Sequence, residues 1–268
     1  VGNQSVRSYA VEGIIELTLW QVAAAYLFVV IVLLIVKSRG IKKEGEIVLS
    51  SVRMTLQLIL AGYVLVYVLD NPNPFITAAI IILMEAFAIY TVMAKFKGRL
   101  NGKLKKIIAL SMGLGAGACL LYLIFAVIGV QPWYDPQYFI PIAGMVIGNS
   151  MTGVSLAVKS LLEGMTTRRQ IVEEALILGA TPREATADII NQTFDSAIMP
   201  TINSMLGMGI IFLPGMMTGQ ILAGVSPTTA IAYQIAIMLG ILGAVAVSVI
   251  LALQMGYRTF FNREEQLV

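Results

Sequence analysis

Seven long apolar stretches constrain this chain more than any other feature: residues 17–36, 54–69, 75–94, 107–130, 139–162, 197–223 and 228–257. A helix of about 20 apolar residues crosses the roughly 30 Å hydrocarbon core of a bilayer with its backbone hydrogen bonds satisfied internally. The pattern therefore predicts an all-α, polytopic membrane protein with about seven transmembrane helices, forming a single transmembrane domain over 1–268. Composition agrees, because 58% of residues are hydrophobic and only 12% charged, against about 25% charged in a soluble domain. Stretch 54–69 is short for a crossing, so its helix is expected to begin before Met54. Stretch 197–223 contains Pro214-Gly215, where a missing amide donor and a steric clash predict a kink or break.

Charge placement orients the spans. Lys37, Arg39, Lys42, Lys43 and Arg53 follow the first stretch, and Lys95, Lys97, Arg99, Lys103, Lys105 and Lys106 follow the third. Arg168, Arg169 and Arg183 follow the fifth, and Arg258 and Arg263 the last. The connections around Asp70, Asp135 and Ser226 hold no Lys or Arg. Because cytoplasmic loops are enriched in Lys and Arg, this predicts a multi-pass protein of the cell membrane with its N-terminus outside and its C-terminus in the cytoplasm. Trp20 and Trp133 fall at outer ends, where amphipathic rings favour the headgroup zone. Arg7, Glu12 and Glu16 precede the first stretch, which reads as a retained anchor. The basic 95–106 loop fits topology and lipid contact, not nucleic acid.

One polar connection is long. Residues 164–196 read as a cytoplasmic helix-turn-helix hairpin, its second helix continuing towards Pro200. Thr167-Arg168-Arg169-Gln170 has the pattern of a capping box. A helix through Leu178 would end at Gly179 in the left-handed conformation, and Thr181-Pro182-Arg183-Glu184 gives a second capping box with proline at the first helical position. Ile171, Ala175 and Leu178 share one apolar face, leaving Arg168, Glu173 and Glu174 for water or a partner. Two readings fit: an amphipathic connector lying on the membrane, or a docking element.

Glu174-Ala175-Leu176-Ile177-Leu178-Gly179 resembles the Glu-Ala-Ala loop that forms the coupling helix of ABC permeases, with Leu176 in place of the second alanine. Pro141-Ile142-Ala143-Gly144-Met145-Val146-Ile147-Gly148-Asn149 and Leu213-Pro214-Gly215-Met216-Met217-Thr218-Gly219, with Ala223-Gly224, Pro227 and Tyr233-Gln234 beyond, resemble the FetB (YbbM) family, as does Arg53 with Gln57-Leu58 and Gly62-Tyr63. That family comprises permeases of a bacterial iron-export ABC transporter; plant permeases linked to aluminium tolerance and nucleotide-sugar transport are similar. The resemblance covers about 45–268 and is densest after residue 138. It implies a permease, with iron or another metal ion as the expected cargo, that works as a homodimer with a separate ATPase holding ATP-Mg. Glu173, Glu174, Ala175, Gly179, Thr181 and Pro182 would couple the two.

The residues themselves agree on one point. No G-x-x-x-x-G-K-[ST] motif occurs in the sequence, so phosphate-cradling chemistry is expected in a partner and no cofactor is expected on this chain. No catalytic residue stands out: there is no histidine, and the one cysteine, Cys119, lies in an apolar run. Without histidine, any metal would meet carboxylate, amide, carbonyl or thioether groups, and no ligand set can be named. Candidate residues of a translocation pathway are Glu85, Met145, Asn149, Pro214, Met216 and Met217. Glu85 is an ionisable group inside a span, a functional candidate by default. Asn149 serves either helix contact or substrate passage. Met216 and Met217 follow the expected break, where backbone carbonyls can line a cavity, although methionine also fills gaps. Gly144, Gly148 and Gly153 read as helix-packing positions. Rival readings are a gradient-driven transporter using Glu85, and an ABC permease for a lipid or nucleotide-sugar solute.

Overall fold

In a computed structural model, residues 17–267 are described, and among them the regular structure is helical. Arg7, Glu12 and Glu16 lie outside the described residues. The described residues divide into two compact units, 17–71 with 222–224, and 72–221 with 225–267.

The first unit is built on α1 (Leu19–Ser38) and α2 (Glu44–Asp70). A capping box of Thr18 and Gln21 starts α1. As expected, α2 begins well before Met54. Arg53 therefore sits inside a helix, not in the connection where its charge was first counted. Tyr26 and Thr55 share a hydrogen bond between the two helices. α1 buries no residue and α2 buries only Val68.

The second unit is a packed bundle. Its helices are α3 (Pro74–Lys95), α4 (Gly102–Tyr122), α5 (Pro136–Thr167), α6 (Arg169–Ile177), α7 (Pro182–Ala185), α8 (Ala187–Gly207), α9 (Gly215–Leu222) and α10 (Pro227–Gly256). A π-helical turn, Leu123–Ile128, prolongs α4. Four of these helices start alike: Asn73, Asp135, Thr181 and Ser226 cap α3, α5, α7 and α10 through their side chains, with proline as the first helical residue. Proline there loses only an amide that the helix leaves unpaired anyway.

Close contacts give the directions. A Cβ on Gly115 of α4 would lie 2.3 Å from Ser248 Oγ of α10, one on Gly240 of α10 would lie 2.7 Å from Leu123, and one on Gly256 would lie 3.4 Å from Leu104. Rising residue numbers on α4 thus meet falling numbers on α10, so the two run antiparallel. Gly153 of α5 meets Val245 of α10 and Ala197 of α8, and Gly164 meets Ile189; α5 and α8 are antiparallel. Gly144 faces Met84, and Thr77 donates to the Tyr134 carbonyl at 3.0 Å, making α3 and α5 parallel. One end of the unit carries the Lys95–Lys106 connection, the 164–186 hairpin and the C-terminal segment, where Asn101 donates to the Thr259 carbonyl. The Lys and Arg of its connections collect at that end, and the connections at the other end hold none.

Among the described residues six helices are long and apolar enough to cross a membrane: α1, α2, α3, α4 with its π turn, α5, and α10 with the short turn after it. The stretch 197–223 is not one span. α8 stops at Gly207, Gly209 takes φ +82°, and Met208–Pro214 is non-helical before the eight-residue α9. The break therefore begins at the glycines, ahead of Pro214, which instead leads into α9 and accepts from Thr218. Of the three α5 glycines read as packing positions, Gly153 fits the role best. Gly144 has looser contact, and a Cβ on Gly148 would meet nothing within 4 Å.

Candidate functional site: a capped corner and a polar seam

The hairpin corner is built from short-range hydrogen bonds. α6 ends with Gly179 at φ +94°. Its amide donates to the Leu176 carbonyl, and the Ala180 amide donates to Ala175, both at 3.0 Å. These are the paired bonds of a glycine-terminated helix end. Thr181 follows as a true capping box: its amide and hydroxyl donate to Glu184 at 2.9 and 2.8 Å, and its hydroxyl accepts from the Glu184 amide at 3.3 Å. Those two donated bonds, the backbone one foremost, hold the Glu184 carboxyl below the ordinary carboxylate range.

The other hairpin expectations need correction. Thr167 does not cap α6. It is the last residue of α5, its hydroxyl donates back to the Glu163 carbonyl, and α6 starts without a side-chain cap. Gln170 pairs instead with Glu174, and Arg169 with Glu173 at 2.7 Å. The second helix is two pieces, α7 and α8, interrupted at Thr186. The face of α6 that packs inward is Val172 with Leu176, so Ile171 and Leu178 are not part of it. Ile171, Ile177 and Leu178 are 62%, 84% and 88% exposed. An outward apolar tip thus stands on a corner fixed by Gly179, Thr181 and Pro182, with Glu173 and Glu174 beside it.

A second feature lies along the contact of α5 and α8. On α5, Asn149, Thr152, Lys159 and Glu163 are exposed; on α8, Gln192, Asp195, Ser196 and Asn203 are exposed. Members of each set lie one or two helical turns apart, with Asp195 and Ser196 adjacent, and each set flanks the positions that join the two helices, Gly153 and Gly164 on one, Ala197 and Ile189 on the other. At the hairpin end the two sets border one cavity of about 320 Å³, lined by Ser160, Glu163, Thr167, Gln192 and Ser196 among others, and Arg168 donates to Gln192 at 2.6 Å. Met145 and Asn149 belong to this seam, and the Asn149 amide donates to the Met145 carbonyl at 2.8 Å. Of the α8 members only Asp195 stands out in the sequence, as a solvated or partner-facing residue; the spacing of Gln192, Ser196 and Asn203 is visible there too, but only pairing with α5 makes it a shared face.

The remaining candidates lie elsewhere. Met217 is buried and Met216 packs on the core, with Pro214 at the start of α9. Glu85 lies in a separate cleft between α3, α4 and α5. Among the described residues no three carboxylate or thiol side chains come together in a way that could hold a metal ion.

Fold and composition define an all-α, multi-pass membrane protein. The chain belongs to the UPF0014 family, described as an uncharacterised protein family, whose model matches residues 19–261. It is 36% identical over 233 residues to the UPF0014 membrane protein slr1647 of Synechocystis, covering 86% of this chain and 88% of that one. It is 33% identical over 246 residues to the probable iron export permease protein FetB of Escherichia coli, covering 92% and 93%. It is also 33% identical over 245 residues to the protein ALUMINUM SENSITIVE 3 of Arabidopsis thaliana, covering 91% and 88%. No solved structure matches the chain.

Proposed function

We propose that this chain is the permease subunit of an ABC transporter that exports iron or another metal ion, acting as a homodimer with a separate ATPase. The α6–α7 corner carries the reading. A helix that is not a span ends in two aliphatic residues, Ile177 and Leu178, more than four-fifths exposed, on a turn whose geometry is over-determined by hydrogen bonds. Such a knob suits insertion into a partner's groove. The similarity to a relative named a probable iron export permease supports both the class and the cargo.

The α5–α8 seam fits the same reading. Polar and charged side chains in a span avoid lipid and face a water-filled path or another helix. α8 has 21 residues, about 31 Å of helix, and runs beside α5 through most of its depth. It serves as the seventh crossing, its polar side turned to the pathway and, in a dimer, to the second copy. The Lys- and Arg-rich end is then cytoplasmic, which places the corner where an ATPase can reach it, with the N-terminus outside and the C-terminus inside. ATP binding in the partner moves the corner, and α5 and α8 carry the motion to the seam.

Purification in detergent with mass spectrometry of co-purifying chains, followed by ATPase and iron-efflux assays in vesicles, tests this. Gly179→Val places a branched side chain at φ +94°, and Glu174→Arg reverses a charge beside the knob. Both variants are expected to insert normally yet lose the ATPase and the efflux. Normal transport by both would sink the proposal.

A further inference from the structure

We propose that the cleft between α3, α4 and α5 is a binding site for a lipophilic monocation, with Glu85 as its counter-charge. Glu85 lies eleven residues into α3, about 16 Å from the helix start and so near the middle of a 30 Å hydrocarbon core. Its Oε1 is shut off from the surroundings and has no hydrogen-bond partner. The cleft holds about 390 Å³, and every other residue lining it is apolar, Ile81, Ile89, Leu120, Phe139 and Ile147 forming much of the wall. None of the three helices presents a second charged or polar side chain there.

The wall chemistry sorts the cations. A lone carboxylate in hydrocarbon is costly and requires a proton or a positive partner. A proton needs no cavity. A metal ion needs several oxygen, nitrogen or sulfur donors, and the wall supplies one carboxyl. An organic cation with a hydrocarbon body uses both the charge and the space, and the volume falls within the range of small-molecule pockets. Ile82 and Leu121, which also line the cleft, are 69% and 51% exposed, leaving it an open side. This inference stands whether or not the chain works with an ATPase.

The experiment is equilibrium binding of tetraphenylphosphonium to the full chain in phosphatidylcholine nanodiscs. Saturable binding is expected, weakened about tenfold or more by Glu85→Gln, since the attraction of two unit charges a few ångströms apart away from bulk water exceeds that factor. Gly117→Leu is the second variant. A Cβ at Gly117 would meet nothing within 4 Å, so the new side chain grows into the cleft without disturbing the carboxyl, and it too should lower the affinity. Partition into lipid is non-saturable and equal in all three proteins. Absence of saturable binding, as a site for a proton alone would give, overturns the proposal. So does equal affinity in the wild type and Glu85→Gln, or in the wild type and Gly117→Leu.

Discussion

The α1–α2 unit and the α3–α10 unit are both apolar helices, yet they are organised on different terms. Between them α1 and α2 bury one side chain, Val68, and their glycines are open: a Cβ on Gly45 or Gly62 would meet nothing within 4 Å. In the second unit α5 alone buries sixteen residues, and glycines on α4, α5 and α10 allow contacts closer than any Cβ permits. Lipid solvates an apolar side chain as well as a protein core does, so burial by itself drives little association between spans. Close approach and packing do. The second unit has these and the first has little of either.

The largest expected effect follows from that contrast. Gly115→Ala sets a methyl group against both the Ser248 side chain and its backbone, so α4 and α10 must separate. Overpacking of this kind costs about 3 kcal/mol, and thermal unfolding in detergent should show it. Gly62→Ala, in the open α2, should be neutral or mildly stabilising, since alanine is favoured over glycine in a helix by about 1 kcal/mol. Equal responses would break the comparison.

A smaller effect is expected at the hairpin corner. The Glu184 carboxyl is held below its ordinary range by Thr181. A depressed carboxylate contributes stability that is present above its unfolded-state pKa and is lost as pH falls through the folded-state value. Amide protection around residues 179–186, measured against the intrinsic exchange rate at each pH, should therefore fall as the solution is acidified through the carboxylate range. In Thr181→Ala it should be lower at neutral pH and respond less to acid. An unchanged acid response in the variant would mean that the capping box does not fix the corner.

The smallest effect belongs to α1 and α2. Tyr26→Phe removes their interhelical hydrogen bond, while Thr55 keeps its bond to the Ser51 carbonyl. A loss of about 1 kcal/mol is expected, read as weaker disulfide trapping between cysteines placed on the two helices. A loss as large as that of Gly115→Ala would show α1 and α2 to be more tightly organised than their burial suggests.

The spans were legible because a bilayer reads hydropathy directly, and the Gly179 and Thr181–Glu184 corner because its signals are local. What depended on neighbours was less so. Periodicity alone could not tell which side of α6 packs inward, since Ile171 and Val172 are both aliphatic and only the surrounding helices select Val172. The proline drew attention to residue 214, whereas Gly207 and Gly209 end the helix earlier. Thr167 carries a capping pattern, but α5 runs on and claims its hydroxyl. The seam is the plainest case: polar residues on α5 and α8 acquire meaning only when antiparallel packing sets them side by side.

The length of α5 has a mechanical consequence. Its 32 residues make a rod of about 48 Å, gripped near its middle where Val245 and Ala197 close on Gly153. The hairpin lies at one end, and the stacked rings of Tyr138 and Tyr233 at the other. Contacts at Gly144, Gly153 and Gly164 hold the rod along its length, so a push on the hairpin would reach the Tyr138–Tyr233 end as a shift of the whole rod, with no need for any span to unwind.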